Sequence, residues 1–126
     1  CDVIVFSFRL RSLPVGSYSN FAYCKVDPNG DVISIIEKEC ISENPELDQM
    51  VTGTFWFKRG SFFSDAAQSL IASQKKVNNE YYVGTSINHL IDKGLSVKFF
   101  EVDQWVSFGD PIELNLYYFW EDYFSS

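Results

Sequence analysis

The four residues Asp27-Pro28-Asn29-Gly30 constrain this chain more than any other short string in it. Proline presets φ for a tight turn, and Asn and Gly tolerate the positive φ that a hairpin demands. Apolar β-forming residues flank the string on both sides. Residues 21–27 and 31–38 are therefore read as two antiparallel strands joined by a turn. Val32, Ile33, Ile35 and Ile36 supply the apolar positions of the second strand, which closes on Glu37-Lys38. Upstream, Val3, Ile4, Val5, Phe6 and Phe8 make residues 2–9 a buried strand. A loop over 10–20 contains Pro14, Gly16, Ser17, Ser19 and Asn20. Residues 42–48 are polar, contain Pro45 and form a surface loop. Residues 50–58 return to strand chemistry and end in Phe55-Trp56-Phe57.

The hydrophobic period then changes. Phe62, Phe63, Ala66, Ala67, Leu70 and Ile71 recur at three- and four-residue spacing, which predicts a helix over 61–75 with one apolar stripe. Lys75 and Lys76 suit its negative C-terminal end. A shorter helix is predicted over 84–93, with Thr85 or Ser86 as cap, Ile87, Leu90 and Ile91 inside, and Gly94 as the stop. Residues 95–102 read as a strand and 104–108 as a short extended piece. The last helix has the clearest start: Asp110 as N-cap, Pro111 at the first helical position and Glu113 placed for a capping box. Leu116, Tyr117, Trp120 and Phe124 then form a helical face. Strands that alternate with helices after a hairpin predict an α/β domain, a mixed sheet with flanking helices.

Composition sets the bounds. At 126 residues, 46% of them hydrophobic and 17% aromatic, the chain is long and apolar enough for one real core. It opens at Cys1 directly into an apolar β-type run, so a fragment of a longer protein is expected. No apolar stretch approaches the roughly 20 residues a membrane-spanning helix needs. The net charge of −7 argues against nucleic acid as a partner, because phosphate backbones are held by basic faces. A small phosphorylated substrate needs only a local Lys or two.

Cys1, Cys24 and Cys40 are widely spaced and His89 is the one histidine, so no paired-ligand zinc site is readable. Free thiols in a reducing cytoplasm are expected, with Cys24 a small buried or half-buried side chain in its strand. The chain contains no phosphate-binding G-x-x-x-x-G-K-[ST] loop, no G-x-G-x-x-G, no G-x-S-x-G and no H-E-x-x-H. A hydrolase would have to use His89, which sits inside a predicted helix and reads more simply as an ordinary helix residue.

Three places remain for chemistry. Glu37-Lys38 pairs a carboxylate, which accepts from sugar hydroxyls, with an ammonium, which attracts phosphate. The same pair is also what a solvated strand end looks like. Val51-Thr52-Gly53-Thr54-Phe55 sets a glycine inside an apolar strand, where it marks either the close approach of a ligand or another backbone, or else a β-bulge or simple packing. Both readings stay open at this point. Asn78-Asn79-Glu80-Tyr81-Tyr82 is a polar and aromatic connection that either lines a pocket or caps the following helix.

In chain order these pieces resemble one family. Phe21-Ala22-Tyr23, Ile36-Glu37-Lys38, Val51-Thr52-Gly53, Asn79-Glu80 and the run Trp105 through Gly109-Asp110-Pro111 to Leu114 are similar to the C-terminal half of the sugar-phosphate nucleotidyltransferases. That group includes the glucose-1-phosphate thymidylyltransferases. The resemblance covers nearly all of the chain, and its most characteristic piece is Trp105–Leu114 followed by Tyr117 and Trp120. It implies a nucleotide-diphospho-sugar transferase-like fold in which a sugar 1-phosphate attacks the α-phosphorus of a nucleoside triphosphate, with magnesium offsetting charge in the full-length parent. It implies that Glu37 contacts sugar hydroxyls and Lys38 the sugar phosphate. Ala22, Val51 and Gly53 would line the sugar pocket, with Glu80 near it.

There are departures from the family pattern. Ala22 replaces the usual Gly, Glu39 the usual Pro, and Ser107 a metal-ligating Asp. A neutral hydroxyl is a poor magnesium ligand beside a carboxylate. The family's N-terminal half, with its glycine-rich nucleotide loop, has no counterpart in these residues. Residues 1–126 are thus expected to be a sugar-phosphate-binding half, inactive alone. The resemblance suggests a cytoplasmic role in nucleotide-sugar supply for surface polysaccharide. The alternative is a catalytically inactive binding or interaction module. Its marks are Ser107 and the crowd of aromatics at Tyr117, Tyr118, Phe119, Trp120, Tyr123 and Phe124, which would meet the missing half or a second copy of the chain.

Overall fold

The turn at Asp27–Gly30 forms as its residues require. In the computed structural model, which describes residues 1–10 and 17–126, Asp27 Oδ1 accepts from the backbone N–H groups of Asn29 and Asp31, both at 2.9 Å. Gly30 takes the left-handed conformation at φ +84°. The turn joins β2 (Ala22–Val26) to β3 (Val32–Glu37) in an antiparallel pair, with Ala22 opposite Glu37 and Cys24 opposite Ile35. Pro14 and Gly16 of the expected 10–20 loop lie outside the described residues; Ser17–Asn20 form a 3₁₀ turn.

With β1 (Val3–Phe8), β4 (Gln49–Phe57) and β5 (Val97–Glu101) the hairpin completes a five-stranded sheet in the order β3-β2-β4-β1-β5. Only β1 and β5 run parallel. The sheet is therefore mixed, as expected, and its outer strands curl toward each other until Lys98 Nζ meets Asp31 Oδ1 at 2.6 Å. Residues 104–108, expected as a short extended piece, form no strand.

Helices α1 (Gly60–Ser73) and α2 (Val83–Asp92) cover one face of the sheet. Val3, Val5, Cys24, Val32, Ile35 and Val97 from the strands pack there with Ala66, Ile87 and Leu90 from the helices. Ile87 and Leu90 are fully buried, and each contributes about 1.5–3 kcal/mol by leaving water. The stripe on α1 is real but only partly covered: Ala66 and Leu70 are buried, while Phe63 and Ile71 stay exposed. The helix leans mainly on α2 and touches the sheet at β4, so only the centre of its stripe finds a neighbour. Lys75 and Lys76 fall beyond its last turn, which ends at Gln74 in the left-handed conformation. On α2 the cap position is Tyr82, without a side-chain hydrogen bond, rather than Thr85 or Ser86. Ser86 Oγ donates instead to the Val83 carbonyl one turn back, at 2.6 Å. Gly94, at φ +88°, is the stop.

A second, smaller cluster forms around Phe8, Tyr23 and Met50. The Trp105 ring stacks on Phe8 at 4.0 Å and meets Phe21 edge-on at 6.0 Å. These rings hold the 105–110 segment beside the ends of β1 and β2. That segment leads into α3 (Pro111–Ser125), where Asp110 Oδ1 accepts from Glu113 N at 2.8 Å as an N-cap should. The expected reciprocal bond does not form, because the Glu113 carboxylate accepts from Ser107 Oγ instead. No residue of α3 is buried. The free thiols are as expected: Cys1 is exposed, Cys40 half-buried and Cys24 buried.

Candidate functional site

A cleft of about 770 Å³ opens where β2, β3, β4, the start of α2 and the 105–113 segment converge. The size suits a small organic ligand. Ala22, Glu37, Lys38, Val51 and Gly53 all line it. The hairpin brings the first three together, because Ala22 and Glu37 are register partners. The last two arrive through an irregularity in β4. Val5 pairs with Phe55 and Ser7 with Val51, so two steps along β1 face four along β4. The surplus bulges outward around Gly53, which adopts φ +93°. Of the two readings of this glycine, the bulge is present, and it carries Gly53 to the cleft wall.

Glu80 takes a different place. It is exposed and off the cleft wall, and its Oε2 accepts from Tyr82 Oη at 2.7 Å. Tyr82 itself lines the cleft. Glu80 thus steadies a wall residue from outside.

Glu37 and Lys38 differ sharply in surroundings. Lys38 stands just past the end of β3 at φ +58° and is exposed. Its ammonium donates to the Asn20 carbonyl at 2.6 Å and lies 5.9 Å from the centre of the Tyr82 ring. It sits at the lip of the cleft as a cation that two polar or aromatic neighbours orient without neutralising. Glu37 is half-buried, and no hydrogen bond to its carboxylate is made among the described residues. Burial pushes its carboxyl above the usual carboxylate range, and the Lys38 charge pulls it only part of the way back. A half-buried carboxylate that still reaches solvent and has no protein donors of its own can accept from a ligand's hydroxyl or amino groups.

Other wall residues escaped the sequence reading. Gly84 is the plainest: a Cβ there would stand 2.6 Å from Glu37 Oε1. Asn20, Phe21, Phe55 and Trp105 also line the cleft. Nothing in the local pattern of Asn20 and Phe55 separates them from core or loop residues, whereas Phe21 and Trp105 stand in the strings that carry the family resemblance. The polar and aromatic string at 78–82 was the one signal for Tyr82.

Known structures share this fold. The chain superimposes on a nucleoside-diphosphate-sugar pyrophosphorylase from Vibrio cholerae RC9 with a TM-score of 0.75 and 24% identity, over 92% of this chain and 46% of that one. It also superimposes on a CMP:2-keto-3-deoxy-manno-octonic acid synthetase complexed with CTP, with a TM-score of 0.55 and 12% identity, over 96% of this chain and 49% of that one. The fold is nucleotide-sugar transferase-like. At these identities the likeness is one of fold. The chain spans about half the length of each of these structures. No protein-family model matches the chain, and no curated protein does.

Within this transferase-like fold the residues around Ser107 do not fit a magnesium ion. Ser107 Oγ donates to Glu113, its oxygen accepts from Gly109 N at 3.2 Å, and Asp110 is engaged in capping α3. Among the described residues no group of three or more His, Cys, Asp or Glu side chains is placed to hold a metal. His89 is half-buried in α2 and is not part of the cleft wall. No described helix is long and apolar enough to cross a membrane.

Proposed function

We propose that this chain supplies the sugar 1-phosphate pocket of a nucleotidyltransferase that joins a nucleoside triphosphate and a sugar 1-phosphate into a nucleoside-diphosphate sugar and diphosphate. The nucleotide-binding half then comes from residues outside these 126, and the chain alone does not catalyse the transfer. The observation that carries the reading is Glu37: a half-buried carboxylate without hydrogen-bond donors, beside the Lys38 ammonium at the lip of a cleft, on a fold shared with nucleotide-sugar enzymes. In this scheme Glu37 accepts from sugar hydroxyls and Lys38 attracts the phosphate. Ala22, Val51 and the Gly53 bulge shape the wall, and Glu80 acts through Tyr82. Any magnesium that serves the whole protein then takes its carboxylates from beyond the described residues. The setting is the cytoplasm, in nucleotide-sugar supply for surface polysaccharide.

Calorimetric titration of a panel of hexose 1-phosphates into the chain tests this. Saturable binding of at least one is expected, weakened by Lys38→Ala and by Glu37→Gln by roughly tenfold each, the scale of one charge-assisted hydrogen bond. No binding by any member, or binding that both substitutions leave untouched, sinks the proposal. The upstream coding sequence is a second check: a glycine-rich nucleotide loop ahead of Cys1 is expected, and a stop codon or an unrelated domain there contradicts it.

Two observations favour a second reading, a catalytically inactive binding or interaction module. Ser107 is tied to Glu113, and the α3 aromatics are exposed for contact with the nucleotide half or with a second copy. Formation of a nucleoside-diphosphate sugar by the full-length protein eliminates this reading.

A further inference from the structure

Glu37 stands on the outer strand of the sheet, and what lies behind it is a ladder between that strand and α2. Asn88 makes the first rung. Its side-chain oxygen accepts from Ile35 N at 2.7 Å, and its side-chain nitrogen donates to Ile35 O at 2.8 Å. An amide side chain thus serves the edge-facing donor and acceptor of β3 as a neighbouring strand would. Gly84 makes the second rung, against the Glu37 carboxylate. A Cβ on Gly84 would lie 2.6 Å from Glu37 Oε1 and 3.1 Å from Ile35 Cγ2.

The two rungs share one register. Four residues along a helix advance about 6 Å, and two along a strand about 6.6 Å. Stepping from Asn88 back to Gly84 therefore matches stepping from Ile35 on to Glu37. Gly84 is buried and does not sit at positive φ, so backbone freedom does not explain a glycine there; the close approach does.

We propose that Asn88 and Gly84 are positioning residues for Glu37: Asn88 locks α2 in register on β3, and the missing side chain at 84 leaves the space in which the Glu37 carboxylate is held at the cleft wall. The consequence for ligand affinity rests on reading the cleft as a sugar 1-phosphate site; the positioning itself does not.

The test follows the Glu37 side-chain carboxyl carbon by ¹³C NMR across pH in the 126-residue chain, and separately measures sugar 1-phosphate binding. In Gly84→Ala the carboxylate is displaced toward solvent. Its titration then falls back toward the ordinary carboxylate range, and affinity drops roughly tenfold or more, the scale of one charge-assisted hydrogen bond. Gly60→Ala is the control, because a Cβ at Gly60 meets nothing within 4 Å; it leaves both readouts unchanged. Should Gly84→Ala not fold, Asn88→Ala releases α2 from β3 and lowers the Glu37 titration in the same direction. An unchanged Glu37 titration in a folded Gly84→Ala chain, or in Asn88→Ala where Gly84→Ala does not fold, overturns the proposal. A shifted titration in a chain whose parent binds no sugar phosphate upholds the positioning and removes only the sugar-phosphate reading.

Discussion

The half-buried carboxylate of Glu37 adds a pH dependence to the stability of the fold. The carboxyl of Glu37 lies above its ordinary range because burial penalises the charged form. Its proton is held more tightly in the folded chain than in the unfolded one. The resulting stability is fully present below the unfolded carboxylate range and is lost as pH rises through the raised folded value. Glu37→Gln removes that titration. Thermal melts from pH 4 to 8 are expected to show the variant gaining on the parent as pH rises through that window; parallel curves contradict this. Cys24 gives a second prediction at this scale. Burial foremost, and Glu37 next, push its thiol up to about 12, so almost no thiolate exists at pH 8. Alkylation followed by mass spectrometry should label exposed Cys1 in the folded chain and Cys24 only after unfolding. Both shifts belong to burial that β2 and β3 acquire against the helices. The sequence showed Cys24 in a strand and Glu37 at a strand end, but not that the two share an environment.

Among the elements, the helices show how far local rules reach. α3 begins where the Asp-Pro start says it must, because a cap acts within one turn and needs no tertiary partner. Asp110→Ala is expected to cost α3 about 1 kcal/mol, seen as faster hydrogen exchange at its first-turn amides. α2 is the contrary case. Ser86 and Thr85 are good caps by type, yet the helix starts at Val83, because Asn88 bound to Ile35 and Gly84 against Glu37 set where it lies. Side-chain truncation separates the covered from the uncovered apolar positions. Leu90→Ala, at a fully buried site, should destabilise by about 2–5 kcal/mol in denaturant melts. Ile71→Ala, more than half exposed at 57%, should cost under about 1 kcal/mol. A cost at Ile71 of α1 equal to that at Leu90 of α2 would mean that Ile71 is packed as well.

Across the whole molecule, the apolar surface is unevenly spent. Ile112, Leu116, Phe119, Trp120, Tyr123 and Phe124 of α3 are all exposed, and their rings stack mainly on one another. Such a helix adds little to the core. Replacing Trp120, Tyr123 and Phe124 together by Ser should leave the melting temperature of the chain nearly unchanged while lowering the fluorescence of a bound hydrophobic dye. A large loss of melting temperature would show that α3 supports the fold. The sequence by itself determined the hairpin, the mixed strand and helix order, the start of α3 and the pairing of Glu37 with Lys38. Each of these depends on φ preference, hydrophobic period or capping within a few residues. Only the tertiary structure decided that the Gly53 bulge and Ala22 reach one cleft, that Glu80 stays outside it, that Gly84 backs Glu37 and that the α3 aromatics lack cover. These depend on register and on distances between elements far apart in the chain, and a local pattern carries no information about either.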